Sequence, residues 1–344
     1  MTEPTLQSRI RTVGLEEHAW IPSLRDRLMA EPAGVIDDSL AAFNQHERGP
    51  RLIDLGEERL RLIDDAGIDM QVLSTTTPGT QSLPAGEAPA FAREANDALS
   101  HAVAEHPDRF AAFATLPTPD PDAAAAELER AITQLGFVGV MLFPRTGERY
   151  VDADEFRPIF EVAAELRVPL YLHPEIAPHS VRAAYYSGFS PDIDLLLATG
   201  GWGWHSDTGV SALRLILAGT FDRHPELQLI LGHWGEMLVF FMERVDIISR
   251  ATPQLQRRVA DYITHNLYVT PSGIYSHRML AHAIAALGAD RVMFSSDFPF
   301  QYAPNGGARN FLESAPISPE DKAKIGSGNA ERLLRLGTSL TATA

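Results

Sequence analysis

Along the chain, short runs of aliphatic and β-branched residues alternate with longer stretches in which apolar residues recur every three to four positions. The short runs predict strands at 12–15, 70–74, 110–114, 138–142, 169–173, 228–233, 267–270 and 292–296. The longer ones predict helices at 57–66, 88–105, 121–135, 156–166, 211–220, 236–249 and 279–287. Asp120 ahead of Pro121 has the form of an N-cap followed by proline in the first turn, and Gly136 and Gly288 stand where C-caps belong.

Such alternation marks βα units around a parallel sheet, and eight strands predict a closed (β/α)8 TIM barrel of the α/β class. A doubly wound open sheet is the alternative. No glycine-rich dinucleotide or phosphate loop follows any of the strands. The chain is read as one domain over 1–344, with its core at about 12–335 and a frayed tail at 337–344. Two segments break the alternation, 22–56 after the first strand and 174–208 after the fifth. Insertions there lie on the C-terminal face of a barrel, where active sites are built, so both are expected to form substrate walls or subunit contacts.

Composition narrows the chemistry. The 29 basic and 45 acidic side chains leave a formal charge of −16, which argues against nucleic acid or an anionic membrane as partner. With no cysteine, thiolate catalysis, disulfides and cysteine-bound metal are excluded. The start, Met1-Thr2-Glu3-Pro4, lacks the basic and apolar segments of a secretion signal, and no apolar run reaches the roughly 20 residues of a membrane helix. A soluble cytoplasmic protein is expected.

The polar residues that remain unusual fall on strand ends. Glu16 and His18 follow the first strand one residue apart, which in an extended segment places both on one side. Glu17 between them is read as a solvated surface acid. His173 ends the fifth strand, His233 the sixth, and Asp297 follows the eighth. In a closed barrel these groups converge. Glu16, His18, His173 and Asp297 offer two nitrogens and two oxygens, suited to one Zn2+ or Mn2+ ion with positions open for substrate. His233 then serves as an acid or base beside the ion, held by Glu236 or Asp297. The fourth strand ends in Met141-Leu142-Phe143-Pro144 with no residue to bridge a second ion. Trp202, Trp204, Phe298 and Phe300 are read as ring walls of a substrate pocket or as plain core packing. Arg145 or Arg182 is placed either on a second carboxylate of the substrate or at the surface.

These residues carry a resemblance. Leu15-Glu16-Glu17-His18, the run from Ser74 to Gln81, Tyr171-Leu172-His173-Pro174, Gly232-His233-Trp234-Gly235-Glu236, Ser296-Asp297-Phe298-Pro299-Phe300 and Gly328-Asn329-Ala330 resemble the amidohydrolase superfamily. The branch is the one that includes the aminocarboxymuconate semialdehyde, γ-resorcylate and 2,3-dihydroxybenzoate decarboxylases. The resemblance runs from near residue 12 to near 335, and Glu-x-His where most amidohydrolases carry His-x-His is its informative element. It implies a barrel holding one divalent ion on Glu16, His18, His173 and Asp297, with His233 and Glu236 as catalytic groups beside it. It also implies non-oxidative loss of CO2 from an aromatic acid such as an ortho-hydroxybenzoate, no organic cofactor, and a homodimer or homotetramer. Two departures lie near the expected pocket: Asp207 and Ser211 stand where relatives carry Glu and His, and Pro144 to Arg149 replaces an Asn-Gly segment.

On this reading Asp297 protonates the ring carbon that bears the carboxylate, with His233 and Glu236 setting its protonation state. A hydrolase of lactones or amides, with Asp297 as base, or a hydratase is the alternative within the same superfamily. A catalytically silent barrel serving as a binding protein is the alternative outside it.

Overall fold

A computed structural model describes residues 9–31 and 39–337. The part of the first insertion at 32–38 and all but Gly337 of the expected frayed tail lie outside the described residues. Parallel strands follow one another in chain order: β1 (Val13–Ala19), β2 (Met70–Thr75), β3 (Phe110–Thr115), β4 (Gly139–Leu142), β5 (Leu170–Leu172), β6 (Leu229–Leu231) and β7 (Leu267–Val269). Helices α1 (Glu57–Ala66), α2 (Ala88–Glu105), α3 (Pro121–Thr133), α4 (Arg157–Leu166), α5 (Gly203–Leu217), α6 (Val259–Asn266) and α7 (His277–Leu287) pack outside them. Each buries the stripe its spacing prescribes. In α1 this is Arg59, Leu62, Ile63 and Ala66, at i, i+3, i+4 and i+7. Asp120 caps α3 by accepting from the amide of Ala123 at 3.1 Å.

The expected eighth strand at 292–296 is not a regular strand. Its backbone nonetheless closes the barrel: Met293 N donates to Val269 O (2.9 Å), Leu15 N to Phe294 O (3.2 Å) and His18 N to Phe298 O (2.8 Å). The ladder is interrupted because the amide of Ser296 donates to the Glu17 carboxylate at 2.8 Å instead of to a strand carbonyl. Two helix expectations also change. The predicted 211–220 helix begins earlier, at Gly203, and the predicted 236–249 helix is broken, because His233, Trp234, Gly235, Glu236 and Met237 all take positive φ. Short helices at Met242–Val245 and Asp246–Ala251 follow that left-handed run.

Inside the barrel, alternate strand residues such as Val13, Leu15, Val72, Phe113, Met141, Tyr171, Ile230 and Met293 form one core. The opposite residues of the same strands pack against the helices. Strand β1 departs from simple alternation. Gly14 pairs with Gln71 and Glu17 with Leu73, so Leu15 and Glu16 together oppose Val72 alone, a β-bulge. Without it, Glu17 would follow Val13 and Leu15 to the inside, and Glu16 and His18 would point out. The bulge reverses that parity.

Glu17 is accordingly not a solvated surface acid but fully buried on the outer face of the barrel. It accepts from Gln71 Nε2 (2.6 Å) and from the amide (2.8 Å) and hydroxyl (2.6 Å) of Ser296. Arg59 completes the string, donating to Gln71 Oε1 (2.7 Å) and to the carbonyl of His18 (2.9 Å). Burial pushes the Glu17 carboxyl up to about 7 against the lowering effect of its Ser296 hydrogen bonds.

The insertion after β5 carries the helices His179–Tyr185 and Pro191–Ala198, and leaves Tyr185, Phe189, Ile193, Leu196 and Trp202 exposed. No helix among the described residues is long and apolar enough to cross a membrane.

A Cβ on Gly14 would stand 2.3 Å from Glu17 Oε1, an oxygen held in place by the Ser296 amide. Gly14→Ala is therefore expected to destabilise the fold by about 1–3 kcal/mol, the cost of overpacking a filled site. Urea unfolding measures this, and an unchanged midpoint would show that Glu17 moves aside freely.

Candidate metal centre

The bulge turns Glu16 and His18 into the mouth of the barrel, where they meet His173 from the end of β5 and Asp297 from the irregular eighth segment. His173 Nε2 lies 3.3 Å from Glu16 Oε1, and His18 Nε2 lies 3.4 Å from Asp297 Oδ1. The His18 and His173 rings meet edge to face, with centroids 4.6 Å apart. One ligand atom from each of Glu16, His18 and His173 falls within a common 4.8 Å, and all three residues are buried.

Each ligand is oriented from behind. The Glu16 Oε2 atom accepts from the hydroxyl of Tyr171 at 2.7 Å and from that of Ser272. His173 donates from Nδ1 to the carbonyl of Pro174 at 2.8 Å, which leaves Nε2 as the electron-pair donor. His18 Nδ1 stands 3.4 Å from Ser74 Oγ. Asp297 takes φ 56° just after Ser296, whose amide and hydroxyl are tied to Glu17. The buried acid read as a surface residue thus anchors the turn that presents a candidate ligand.

These residues fit a divalent cation. Glu16 Oε1 and His18 Nε2 are both buried without a hydrogen-bond partner, an arrangement that costs stability unless a cation stands between them. Burial pushes the Glu16 carboxyl up, but the imidazoles of His233, His173 and His18 outweigh it and hold the group ionised. Burial, with the neighbouring His173, pushes His18 down toward the neutral form that ligates metal. Burial and the Glu16 charge push the Asp297 carboxyl up.

His233 opens the left-handed run after β6. Its amide donates to Ser272 Oγ (2.7 Å) and its Nδ1 to Glu236 Oε1 (2.7 Å), so Glu236 rather than Asp297 holds it. Burial alone would lower the His233 imidazole, yet the charges of Glu236, Glu16 and Asp297 raise it to about 10.

The expected pocket walls divide. Phe300 lies against the His18 ring at 5.6 Å, and Phe143, which sequence reasoning passed over, lies 5.7 Å from the His173 ring. Phe298 instead packs under Arg59, 4.6 Å from its guanidinium carbon, and beside Tyr302, so for it the core-packing alternative holds. Trp202 is 49% exposed beside Tyr150 and Tyr185, and Trp204 is half-buried in the first turn of α5. Arg145 does not stand ready for a second carboxylate. It donates to Asp207 Oδ2 (3.3 Å) and to the carbonyls of Gly147 (3.0 Å) and Ile176, with Glu175 Oε1 at 3.7 Å. Tyr150 donates to the other Asp207 oxygen at 2.5 Å. This group borders a cleft of about 590 Å³ between the loops after β2, β4 and β5, lined by Gln81, Arg145, Glu175, His179 and Arg182 among others.

Tyr171, Ser272 and His205 were missed in the sequence. Tyr171 and Ser272 read there as an ordinary strand residue and a loop serine. His205, whose Nδ1 is 2.8 Å from Glu236 Oε2, lay in an insertion without periodic pattern.

Fold and side chains together define a (β/α)8 barrel with a mixed nitrogen and oxygen metal centre at the C-terminal ends of its strands. The chain matches the Amidohydrolase family model over residues 18–336 and belongs to that family. It is 38% identical to the gamma-resorcylate decarboxylase of Rhizobium sp. (strain MTP-10005), over 94% of this chain and 98% of that one. Among solved structures it resembles the dihydroxybenzoic acid decarboxylase of Polaromonas sp. JS666 with bound manganese and the inhibitor 2-nitroresorcinol. There the TM-score is 0.82 at 36% identity, covering 96% of this chain and 98% of that one. It also resembles the 5-carboxyvanillate decarboxylase of Novosphingobium aromaticivorans complexed with manganese and 4-hydroxy-3-methoxy-5-nitrobenzoic acid. The TM-score is 0.87 at 31% identity, covering 95% of this chain and 96% of that one.

Replacing Tyr171 by Phe removes one of the two hydroxyls that orient Glu16. Divalent-metal affinity is expected to fall about 10–100-fold, as is typical when a group supporting a ligand is lost. Metal titration of the stripped protein measures it, and wild-type affinity in the variant would overturn the assigned support.

Proposed function

We propose that the protein is a divalent-metal-dependent, non-oxidative decarboxylase of an ortho-hydroxybenzoic acid. One observation carries the proposal. Glu16 Oε1 and His18 Nε2, buried and unpartnered, converge with His173 and Asp297, in a chain similar along its length to hydroxybenzoate decarboxylases. Glu16, His18, His173 and Asp297 are assigned as ligands of one Mn2+ or Zn2+ ion, and the chemistry calls for no organic cofactor. When bound, the ion orients the phenolate and carboxylate oxygens of the substrate and eases ionisation of the phenol.

The residues of the chain then do the rest. Ionisation of the ortho-hydroxyl pushes electron density into the ring carbon that carries the carboxylate. Asp297 delivers a proton to that carbon. The carbon–carboxylate bond breaks, CO2 leaves, and the electron pair restores the aromatic ring. His233, its Nδ1 committed to Glu236, offers Nε2 to the substrate and supports the proton inventory of Asp297. Phe300 and Phe143, stacked beside the ligand histidines, keep water from the reacting face. The Arg145 cation is already matched by Asp207 and Glu175, which favours a substrate with one carboxylate over one with two.

The competing reading is hydrolysis of a lactone or amide with Asp297 as base. Glu16 in place of a histidine ligand favours the decarboxylase. ¹H-NMR in D2O separates the two, with protein stripped and reloaded with Mn2+ or Zn2+. Decarboxylation releases CO2 and leaves one deuteron at the vacated ring position, whereas cleavage of lactones with every hydroxybenzoate intact would transfer the assignment to hydrolysis. Asp297→Asn is expected to lower decarboxylation by about 10²–10⁴-fold, the usual worth of a positioned acid. Activity within tenfold of wild type, with metal retained, would remove Asp297 from the proton-donor role.

A homodimer or homotetramer is proposed from the family resemblance, with the exposed face of Pro191–Ala198 as the surface a second copy would cover. Light scattering is expected to give two or four chain masses, and a monomer at micromolar concentration would overturn it.

A further inference from the structure

Glu236 is fully buried, and each of its two carboxylate oxygens is taken by a different imidazole. Oε1 accepts from His233 Nδ1 at 2.7 Å and Oε2 from His205 Nδ1 at 2.8 Å. The two rings lie with centroids 4.5 Å apart at 55°. His205 Nε2 is in turn 3.0 Å from the carbonyl oxygen of Gly200. Both nitrogens of His205 therefore face atoms that only accept, and both bonds form together only when each nitrogen carries a proton.

The position of His205 is built by the insertion after β5. Gly203 opens α5 with no room for a side chain, since a Cβ there would lie 2.3 Å from the carbonyl oxygen of Ala198. The tight entry sets His205 in the first turn, over Glu236, 31 residues further along the chain. On the other side, Glu236 lies within the left-handed run, at φ 50°. A carboxylate on a strained backbone, with one oxygen free, could rotate and take the His233 ring with it. His205 removes that freedom.

We propose that His205 is a positioning residue: by holding Glu236 Oε2 it fixes the carboxylate that fixes the plane and tautomer of His233, so that His233 keeps Nδ1–H on Glu236 and Nε2 toward the substrate. The catalytic part rests on the role given to His233 under the decarboxylase reading, while the positioning part does not. The arrangement makes a three-member relay, His205–Glu236–His233, in which the outer histidine touches neither substrate nor metal ligand. It also gives the insertion a task at the reacting centre beyond walling the pocket.

The test uses the metal-loaded protein and two variants. His205→Ala leaves Glu236 Oε2 without its donor. His205→Asn keeps an N–H near the place of Nδ1 and also serves if the alanine variant folds poorly. The first readout needs no substrate. The hydrogen-bonded Nδ1 proton of His233, assigned by its loss in His233→Asn, is expected to move upfield or broaden in His205→Ala and to return in His205→Asn. The second readout is kinetic. In His205→Ala, kcat is expected to fall about 10–100-fold, as for other groups that support a functional side chain. KM should stay within about threefold, because substrate contacts are untouched. Recovery of most of kcat in His205→Asn would support positioning. An unmoved His233 proton with unchanged kcat in a folded His205→Ala would overturn the proposal. A shifted proton in a protein that decarboxylates no hydroxybenzoate would uphold the positioning and defeat the decarboxylase reading instead.

Discussion

The metal centre depends on one extra residue in the first strand. A β-strand assigns sides by parity, and Val13 and Leu15 are committed to the barrel interior by their packing. Regular alternation from there would bring Glu17 inside and turn Glu16 and His18 toward the helices. The bulge that sets Leu15 and Glu16 together against Val72 changes the parity once, and both candidate ligands enter the mouth. The acid that alternation would have placed inside goes instead between sheet and helices. There its carboxylate replaces a strand carbonyl as acceptor for the Ser296 amide. Closure of the barrel and presentation of Asp297 thus share a single side chain. Arg59 and Gln71 secure it from α1 and β2.

A second division of labour runs through the site. The regular strands position Glu16, His18 and His173, whereas His233, Glu236 and Asp297 sit on backbone with positive φ. Such conformations cost energy and persist only where surroundings over-determine them. Here the determinants are visible. The amide of Trp234 donates to Thr270 O at 2.8 Å, its indole to Ile274 O at 2.8 Å, and Ser272 accepts from the amide of His233. Ser272 also donates to Glu16, so one serine links the strained run to the ligand strand. Polar groups are concentrated at this end of the barrel, and the other layers of its interior are apolar.

Much of the fold was legible because burial alone writes it. Helices 57–66 and 88–105 were read to their observed limits, and seven strands appear close to their expected places. The clustering of Glu16, His18, His173 and Asp297 followed from their positions at strand ends. The misreadings share a cause: side chains took over hydrogen bonds that pattern assigns to backbone. Ser296 broke the eighth strand through Glu17, and the left-handed run broke the helix expected from Glu236 onward. The assignment of Glu17 to the surface failed because an acid flanked by two charged or titratable residues carries no sign of burial in its own sequence. Phe298 and Arg145 show the reverse problem. Their residue types suit a pocket, but Arg59 claims one and Asp207 the other, from segments far away along the chain. Tyr171, Ser272 and His205 act through partners that only the folded chain brings near.

The bulge has a bearing on how this chain can change. Because parity is set by counting, the length of β1 carries information separate from the identity of its residues. A deletion of one residue at the bulge would keep every donor in the alphabet and restore an ordinary ladder against β2. It would also rotate Glu16 and His18 out of the mouth and convert a metal barrel into an inert one. Gly14 and Glu17 form the lock on that count, since the space taken by the acid is the space the glycine leaves. In this strand, insertions and deletions rather than substitutions are the sharpest boundary between a working site and a silent scaffold.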